Sequence, residues 1–402
     1  MTNRGIWGII NPIMEKKNLQ EMLDRIRAEL SIFYEIGNAM RSTLNLEEIL
    51  FIILTGVTSH VGLGFNRAML FLVNEQENTL EGKMGIGPHS VEEAGFIWDR
   101  IASQQMSLED LISAYTFYKK GGSELDKAVR GIKIPLREDA GVLAMTVLEG
   151  MGLEITSDES RRKIAGDPVL QILRTEYFVT VPLKAKDKVV GVILADNLFT
   201  KKPIVKEDIR TLTMFANHAG LAIENSRLYE QTVYEANTDT LTRLWNHGYF
   251  QFLLTEELKK AYETKAPLSL VMFDIDNFKN YNDTMGHQMG DQILREVARL
   301  LKTTCDGKGS VARYGGEEFT VILPNLAKDP AYGIAEELRK SIEDFQFKRQ
   351  EVQPTKNLTI SAGLSTYPED ALDKERLIYL ADMALYEAKR SGKNKVCVYR
   401  SK

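Results

Sequence analysis

The chain has 402 residues, 44% hydrophobic and 27% charged, with a net charge of −5. That is enough apolar material for two or three domain cores, and an acidic balance that gives no general attraction to nucleic acid or to an anionic membrane, so any nucleotide site must be local. Two cysteines, Cys305 and Cys397, exclude a disulfide framework and fit a reducing compartment, the cytoplasm. No run approaches the ~20 apolar residues a membrane helix needs, and Ile6–Ile10 lacks the pattern of a signal peptide.

From Glu15 to Met40, Leu19, Leu23, Ile26, Leu30, Phe33, Gly37 and Met40 recur at steps of four and three. This predicts a helix over the first 40 residues, either paired with another helix or packed on its own domain. Leu46–His60 reads as a second helix. Arg67–Val73 and the alternating Leu80, Gly82 and Met84 read as strands joined by a polar turn. Residues of about 90–173 look mainly helical, with Trp98, Tyr115 and Phe117 as core residues. Tyr177–Leu183 and Val189–Asp196 look like two strands joined at Lys186-Asp187-Lys188, and a long helix starts near Val205.

This order of helix, antiparallel sheet and closing helix, with its best match over Val189–Leu228, resembles a GAF domain. It implies a GAF-like sensory domain over residues 41–228, with a helical insert of about 90–173 longer than that family usually carries. Such a domain implies a small-molecule ligand; no cysteine is present for covalent bilin attachment, and His60 and His89 read as ordinary surface or core histidines rather than haem ligands. In the helix over 205–238, Ile209, Leu212, Ala216, Ala219, Ile223, Ser226 and Val233 recur three and four apart, with Glu230 as one polar interruption. It reads as a rigid connector and homodimer seam, or as a core helix of the GAF-like domain, or as both in succession.

From Asp239 strands and helices alternate. Strands are expected at Leu268–Phe273, Val311–Tyr314, Thr320–Leu323, Leu358–Leu364 and Lys395–Tyr399, and helices at Gln292–Leu301, Pro330–Phe345 and Arg376–Lys389. The fold class is therefore mixed, α/β in the broad sense (α+β), with helices covering a sheet.

Three clusters here suit a magnesium nucleotide. Asp274-Ile275-Asp276 puts hard oxygen donors at a strand end; alone it is equally an acidic terminus facing water. Gly315-Gly316-Glu317-Glu318 puts two carboxylates on a glycine turn that lets a phosphate approach the backbone. A cation shared with Asp274 would relieve their repulsion, whereas solvent alone would make it an acidic hairpin. Lys389, Arg390 and Lys393 stand at a helix end, where they complement the macrodipole or meet a triphosphate.

Gly315-Gly316-Glu317-Glu318-Phe319 is the GGEEF form of the GGDEF signature. Around it, in order and at matching spacing, stand Asp239–Asn246, Asp274–Asp283, Gly286–Asp291 and Ala384–Asn394. Five linked motifs make residues 237–402 resemble a GGDEF domain, the nucleotidyl-cyclase-like domain of diguanylate cyclases. The resemblance implies condensation of two GTP into cyclic di-GMP and two pyrophosphates by a homodimer that pairs through the connector helix and the GAF-like domain. It implies two Mg²⁺ per site, with Mn²⁺ as the alternative ion, on Asp274, the Ile275 carbonyl and Glu317. Glu318 would assist the metal or the attacking hydroxyl. The backbone N–H groups of Asn277, Phe278 and Lys279, with the Lys279, Lys389 and Lys393 side chains, would hold the phosphates.

Asn282 and Asp291 would read guanine: its N1–H and N2–H₂ donors suit a carboxylate, and adenine lacks that pair. Keeping Asp291 argues against a mixed cyclic GMP-AMP synthase, and the intact acidic and basic residues argue against a catalytically weak GTP-binding module. Two positions depart from the family. Asp306-Gly307-Lys308-Gly309 replaces the arginine and aspartate of the product-inhibition site, so no inhibitory site is expected there. His247-Gly248 follows Asn246 where two arginines are usual, at a place expected to lie away from the metal cluster.

Overall fold

The computed structural model describes residues 34–40, 42–59, 62–94, 123–164 and 166–399. The readings for Leu19–Phe33, His60, Trp98, Tyr115 and Phe117 lie outside these residues. The chain forms two compact units that divide between Glu230 and Gln231.

The first unit contains α1 (Leu46–Thr58), β1 (Arg67–Asn74), β2 (Thr79–Ile86), α2 (Glu124–Arg130), β3 (Lys133–Pro135), α3 (Val142–Glu149), β4 (Leu153–Ile155), α4 (Asp158–Lys163), α5 (Pro168–Leu173), β5 (Phe178–Ala185), β6 (Lys188–Asp196) and most of α6 (Lys206–Asn237). Its antiparallel sheet has the order β3-β2-β1-β6-β5-β4. Residues 123–173, read as part of a helical insert, thus also contribute both edge strands. Strands of three residues are too short to show a period of two.

Strand β1 is buried on both faces. Leu70 and Leu72 face a core with Ile36, Leu54, Phe215 and Ile223, while Met69 and Phe71 face one with Leu125, Val129, Leu143 and Leu170. Two-sided burial explains its unbroken apolar run. Helix α6 spends much of its supposed seam at home: Leu212, Ala216, Ala219, Ile223 and Ser226 are buried within the first unit. Gly220 permits the approach, since a Cβ there would lie 2.4 Å from the Lys184 carbonyl oxygen. A different stripe faces outward, with Met214, Leu221 and Leu228 spaced by sevens and each close to half exposed.

The second unit contains α7 (His247–Thr264), β7 (Leu268–Ile275), α8 (Phe278–Met285), α9 (His287–Thr304), β8 (Ser310–Gly315), β9 (Glu318–Pro324), α10 (Lys328–Glu343), β10 (Ile360–Tyr367), α11 (Lys374–Arg390) and β11 (Val396–Val398). The sheet order is β11-β10-β7-β9-β8; only β10 and β11 run parallel. β7 is central and buried along its whole length. Its Val271 and Phe273 pack with Val297, Leu301 and Leu338, and its Leu270 and Met272 with Phe250, Leu254 and Leu380. This mixed helix-and-sheet architecture is the expected fold class. Among the described residues, no helix is long and apolar enough to cross a membrane.

Candidate active site

Two strand ends of the second unit meet at the acidic cluster. β9 runs antiparallel to β7 with Asp274 opposite Glu318. Directly opposite residues share a face of the sheet, so the two carboxylates are neighbours, and like charges placed so are unfavourable. Glu317 lies in the turn between β8 and β9, and its carbonyl accepts the Ile275 N–H at 3.3 Å. The turn is not a Gly-Gly turn: its central residues are Gly316, with φ +48°, and Glu317, while Gly315 pairs with Glu318. Glycine at the first central position is where a type II′ hairpin takes it. Nothing lies within 4 Å of a Cβ built on either glycine, so the backbone is open to a ligand.

Burial raises the Asp274 carboxyl above its ordinary value, against the hydrogen bond and charge of Lys389. Burial and then the Asp274 charge raise Glu317 and Glu318. Lys389, in the last turn of α11, holds its Nζ 2.6 Å from Asp274 Oδ2. Asp382 stands seven residues earlier on the same helix and adds to the upward push on Glu318. Sequence reading passed over it, although the spacing to Lys389 marks a shared face.

Among the described residues no three His, Cys, Asp or Glu side chains form a ready metal cage. What is present are carboxylates and the Ile275 carbonyl, all hard oxygens, with a lysine neutralising one of them. That donor set fits Mg²⁺, which keeps few protein ligands and completes its shell with water and substrate phosphates.

Beside the carboxylates, α8 is preceded by Asn277, which has φ +56° and gives the helix no side-chain cap. The first N–H groups of a helix lack partners within it, which makes such an end an anion site. Phe278 is buried and Lys279 is exposed in this first turn. Lys393 donates its Nζ to Asn277 Oδ1. Gly286, with φ +82°, turns the chain from α8 into α9, so Asn282 and Asp291 stand on two successive packed helices. Asn282 Oδ1 is buried without a hydrogen-bond partner, and only glycine at 290 leaves it room, since a Cβ there would come within 1.9 Å.

Arg313 ties the signature turn to the start of the unit. Its Nε and Nη2 donate to the Gly316 carbonyl at 3.0 and 2.7 Å, and its Nη1 to both Asp239 oxygens at 3.0 and 3.2 Å. His247 stacks on Tyr314 with ring centroids 4.5 Å apart, one residue from Gly315. It therefore lies nearer the acidic turn than its position in the sequence suggested. At residues 306–309, Lys308 is paired with Glu337 at 2.7 Å.

In the comparisons with known proteins, the unit boundary at 230/231 falls in the gap between two family matches. A "Diguanylate cyclase, GGDEF domain" model matches residues 236–395 and a "GAF domain" model residues 45–223. "Diguanylate cyclase A" of Treponema denticola is 36% identical over 255 residues, 61% of this chain and 66% of that protein. A "Diguanylate cyclase" of Vibrio cholerae is 35% identical over 173 residues, 43% of this chain and 53% of that protein. The chain thus spans less than two thirds of the length of these curated relatives. Among solved structures, the coiled coil and GGDEF domain of DgcB from Caulobacter crescentus is 33% identical, with 46% of this chain and 99% of that chain covered and a TM-score of 0.41. The active GGEEF domain of a Vibrio cholerae diguanylate cyclase is 33% identical, with 37% and 92% covered and a TM-score of 0.34. The chain belongs to the GGDEF family, its GGDEF domain preceded by a GAF domain.

Proposed function

We propose that the chain is a cytoplasmic diguanylate cyclase, condensing two GTP into cyclic di-GMP and two pyrophosphates under control of its GAF domain. The observation that carries this reading is the convergence of Asp274, Glu317 and Glu318, from two chain segments, beside a helix N-terminus and two lysines. The names of the relatives point the same way. Domain limits of 41–228 for the GAF part, 205–238 for the connector and 237–402 for the cyclase go with it.

Two Mg²⁺ or Mn²⁺ held by Asp274, the Ile275 carbonyl and Glu317 would supply charge stabilisation for the attacking and leaving oxygens. The N–H groups of Asn277, Phe278 and Lys279 receive the terminal phosphates, with Lys279, Lys389 and Lys393 adding positive charge. Asp291 accepts the guanine donors and Asn282 fixes the base from α8. Each domain holds one GTP, and a second copy of the chain presents the other. A 3′-oxygen bonds to the facing α-phosphorus, the bond to the bridging oxygen breaks, and pyrophosphate leaves; a second such step closes the ring. Glu318, across the strand pair from Asp274, assists the metal or the attacking hydroxyl. Pairing of copies is assigned to α6 and the GAF domain, and control to a small-molecule ligand of that domain.

The test is incubation of the purified chain with Mg²⁺ and GTP, followed by nucleotide separation. Cyclic di-GMP and pyrophosphate are expected. Bound but unconverted GTP would replace the reading with a binding module, and a mixed dinucleotide from GTP plus ATP with a mixed-product synthase.

A further inference from the structure

Asp276 stands two residues after Asp274 and invites assignment as another metal ligand. Its surroundings point elsewhere. The side chain is 3% exposed. Its Oδ1 accepts the Ser361 hydroxyl at 2.7 Å, and its Oδ2 accepts the Thr359 hydroxyl at 2.7 Å and the Asn394 backbone N–H at 3.0 Å. A carboxylate offers about four acceptor sites, and three are filled by donors of this chain in a nearly closed pocket.

The third donor matters most. Asn394 and Lys393 both have positive φ, +46° and +62°. Neither is glycine, so each holds a conformation that persists only where its surroundings enforce it. The enforcement is visible on both sides of the turn. Asn394 Nδ2 donates to Glu343 Oε1 at 2.7 Å, and its Oδ1 accepts from Arg339 at 2.7 Å. Its main chain is held by Asp276, while the Lys393 ammonium reaches Asn277 Oδ1. Residues 276 and 277 therefore grip residues 394 and 393 respectively. The phosphate-facing end of β7 and the basic turn after α11 are clasped as one piece, although 118 residues separate Asp276 from Asn394.

We propose that Asp276 is a positioning residue rather than a metal ligand. Anchored by two β10-side hydroxyls, its carboxylate holds the Lys393–Asn394 turn so that the Lys393 ammonium arrives at the N-terminus of α8, where the terminal phosphates bind. This rests on the nucleotide reading above. It explains why a buried carboxylate without a cation partner is kept: the three donors offset its desolvation, and the return is the placement of a flexible lysine.

The test is a double-mutant cycle read by GTP binding and by steady-state kinetics of the full chain. Asp276→Ala is expected to weaken GTP binding about 10-fold and to raise KM by a similar factor, with kcat within about 3-fold. Lys393→Ala should do the same, and the double variant should be little worse than either single one. Asp276→Asn keeps the volume, and the serine and threonine hydroxyls can reverse to suit an amide, so it should recover most of the binding. A kcat loss of 100-fold or more in Asp276→Ala, relieved by raised Mg²⁺, would overturn the proposal in favour of a ligand role. Additive losses in the double variant would overturn it too. If Asp276→Ala proves unfolded by its melting curve, the comparison of Asp276→Asn with and without Lys393→Ala decides in the same way. A wild type that binds GTP without converting it would remove the cyclase reading and leave the binding cycle intact.

Discussion

Arg313 and Asp239 are 74 residues apart in sequence and joined by one guanidinium that also grips the carbonyl of Gly316. Burial alone would raise the Asp239 carboxyl. Hydrogen bonds from Thr242 and Arg313 more than offset it, so Asp239 is held below the ordinary carboxylate value. The acidic turn is thereby fastened to the second residue after α6, and no lysine could hold both partners with one planar group. Arg313→Lys should lower kcat by about 10- to 100-fold through misplacement of Glu317 while GTP binding changes little. Steady-state kinetics beside a binding measurement checks this.

The three crowded carboxylates predict a pH dependence. Asp274, Glu317 and Glu318 have folded-state values raised first by burial, with the Asp274 charge adding to the rise at both glutamates and the Asp276 charge to the rise at Asp274. With no cation bound, the unfolded chain therefore releases these protons first as pH rises, so their contribution to stability falls above the ordinary carboxylate range and levels off above the raised values. A divalent cation with a non-hydrolysable GTP analogue binds the ionised forms. The gain in melting temperature on adding both should grow from pH 5 to pH 7.5, and the dependence should flatten in Glu317→Gln. A pH-independent gain would contradict the assignment.

Discrimination between bases is assigned to one carboxylate. Asp291→Ser should narrow the preference for GTP over ATP by about 1–3 kcal/mol, roughly 5- to 150-fold in kcat/KM. Competition between the two nucleotides, with product separation, reads it. Unaltered GTP preference would remove Asp291 from base recognition.

Helix α6 separates two kinds of apolar residue. Ile223 is fully buried in the first unit, and Ile223→Glu should cost more than about 4 kcal/mol and unfold that unit. Leu221 and Leu228 are 44% and 52% exposed. Leu221→Glu with Leu228→Glu should change stability by less than about 1 kcal/mol and, on the proposed pairing through α6, should favour monomer and lower specific activity at low protein concentration. Sedimentation and activity titrations check both.

The same helix marks the limit of legibility. Its spacing of three and four is identical whether Leu212, Ala216 and Ile223 face a partner chain or their own sheet, and only the sheet beneath Gly220 decides. The outward stripe of Met214, Leu221 and Leu228 was hidden by its polar neighbours. In the second unit, the linked motifs made Asp274, Glu317, Glu318, Asn277 and Lys389 readable together because their order and spacing are specific. That Asp274 and Glu318 are cross-strand partners was not readable, because register depends on β9 pairing with β7 over a gap of more than forty residues. The short edge strands β3 and β4 carried too few residues for any period. The role of Asp276 depends on hydroxyls and a backbone N–H that no motif names.

Lys389 on Asp274 gives the resting domain its own counter-ion. A bare divalent ion must compete with a tethered ammonium that never dilutes away, so it gains little by arriving alone. An ion that comes with a triphosphate brings a replacement partner for the displaced lysine, and the exchange leaves no charge stranded. On the proposed reading, substrate and metal would therefore load together, and the acidic turn would stay idle whenever nucleotide is scarce, however much magnesium the surroundings contain.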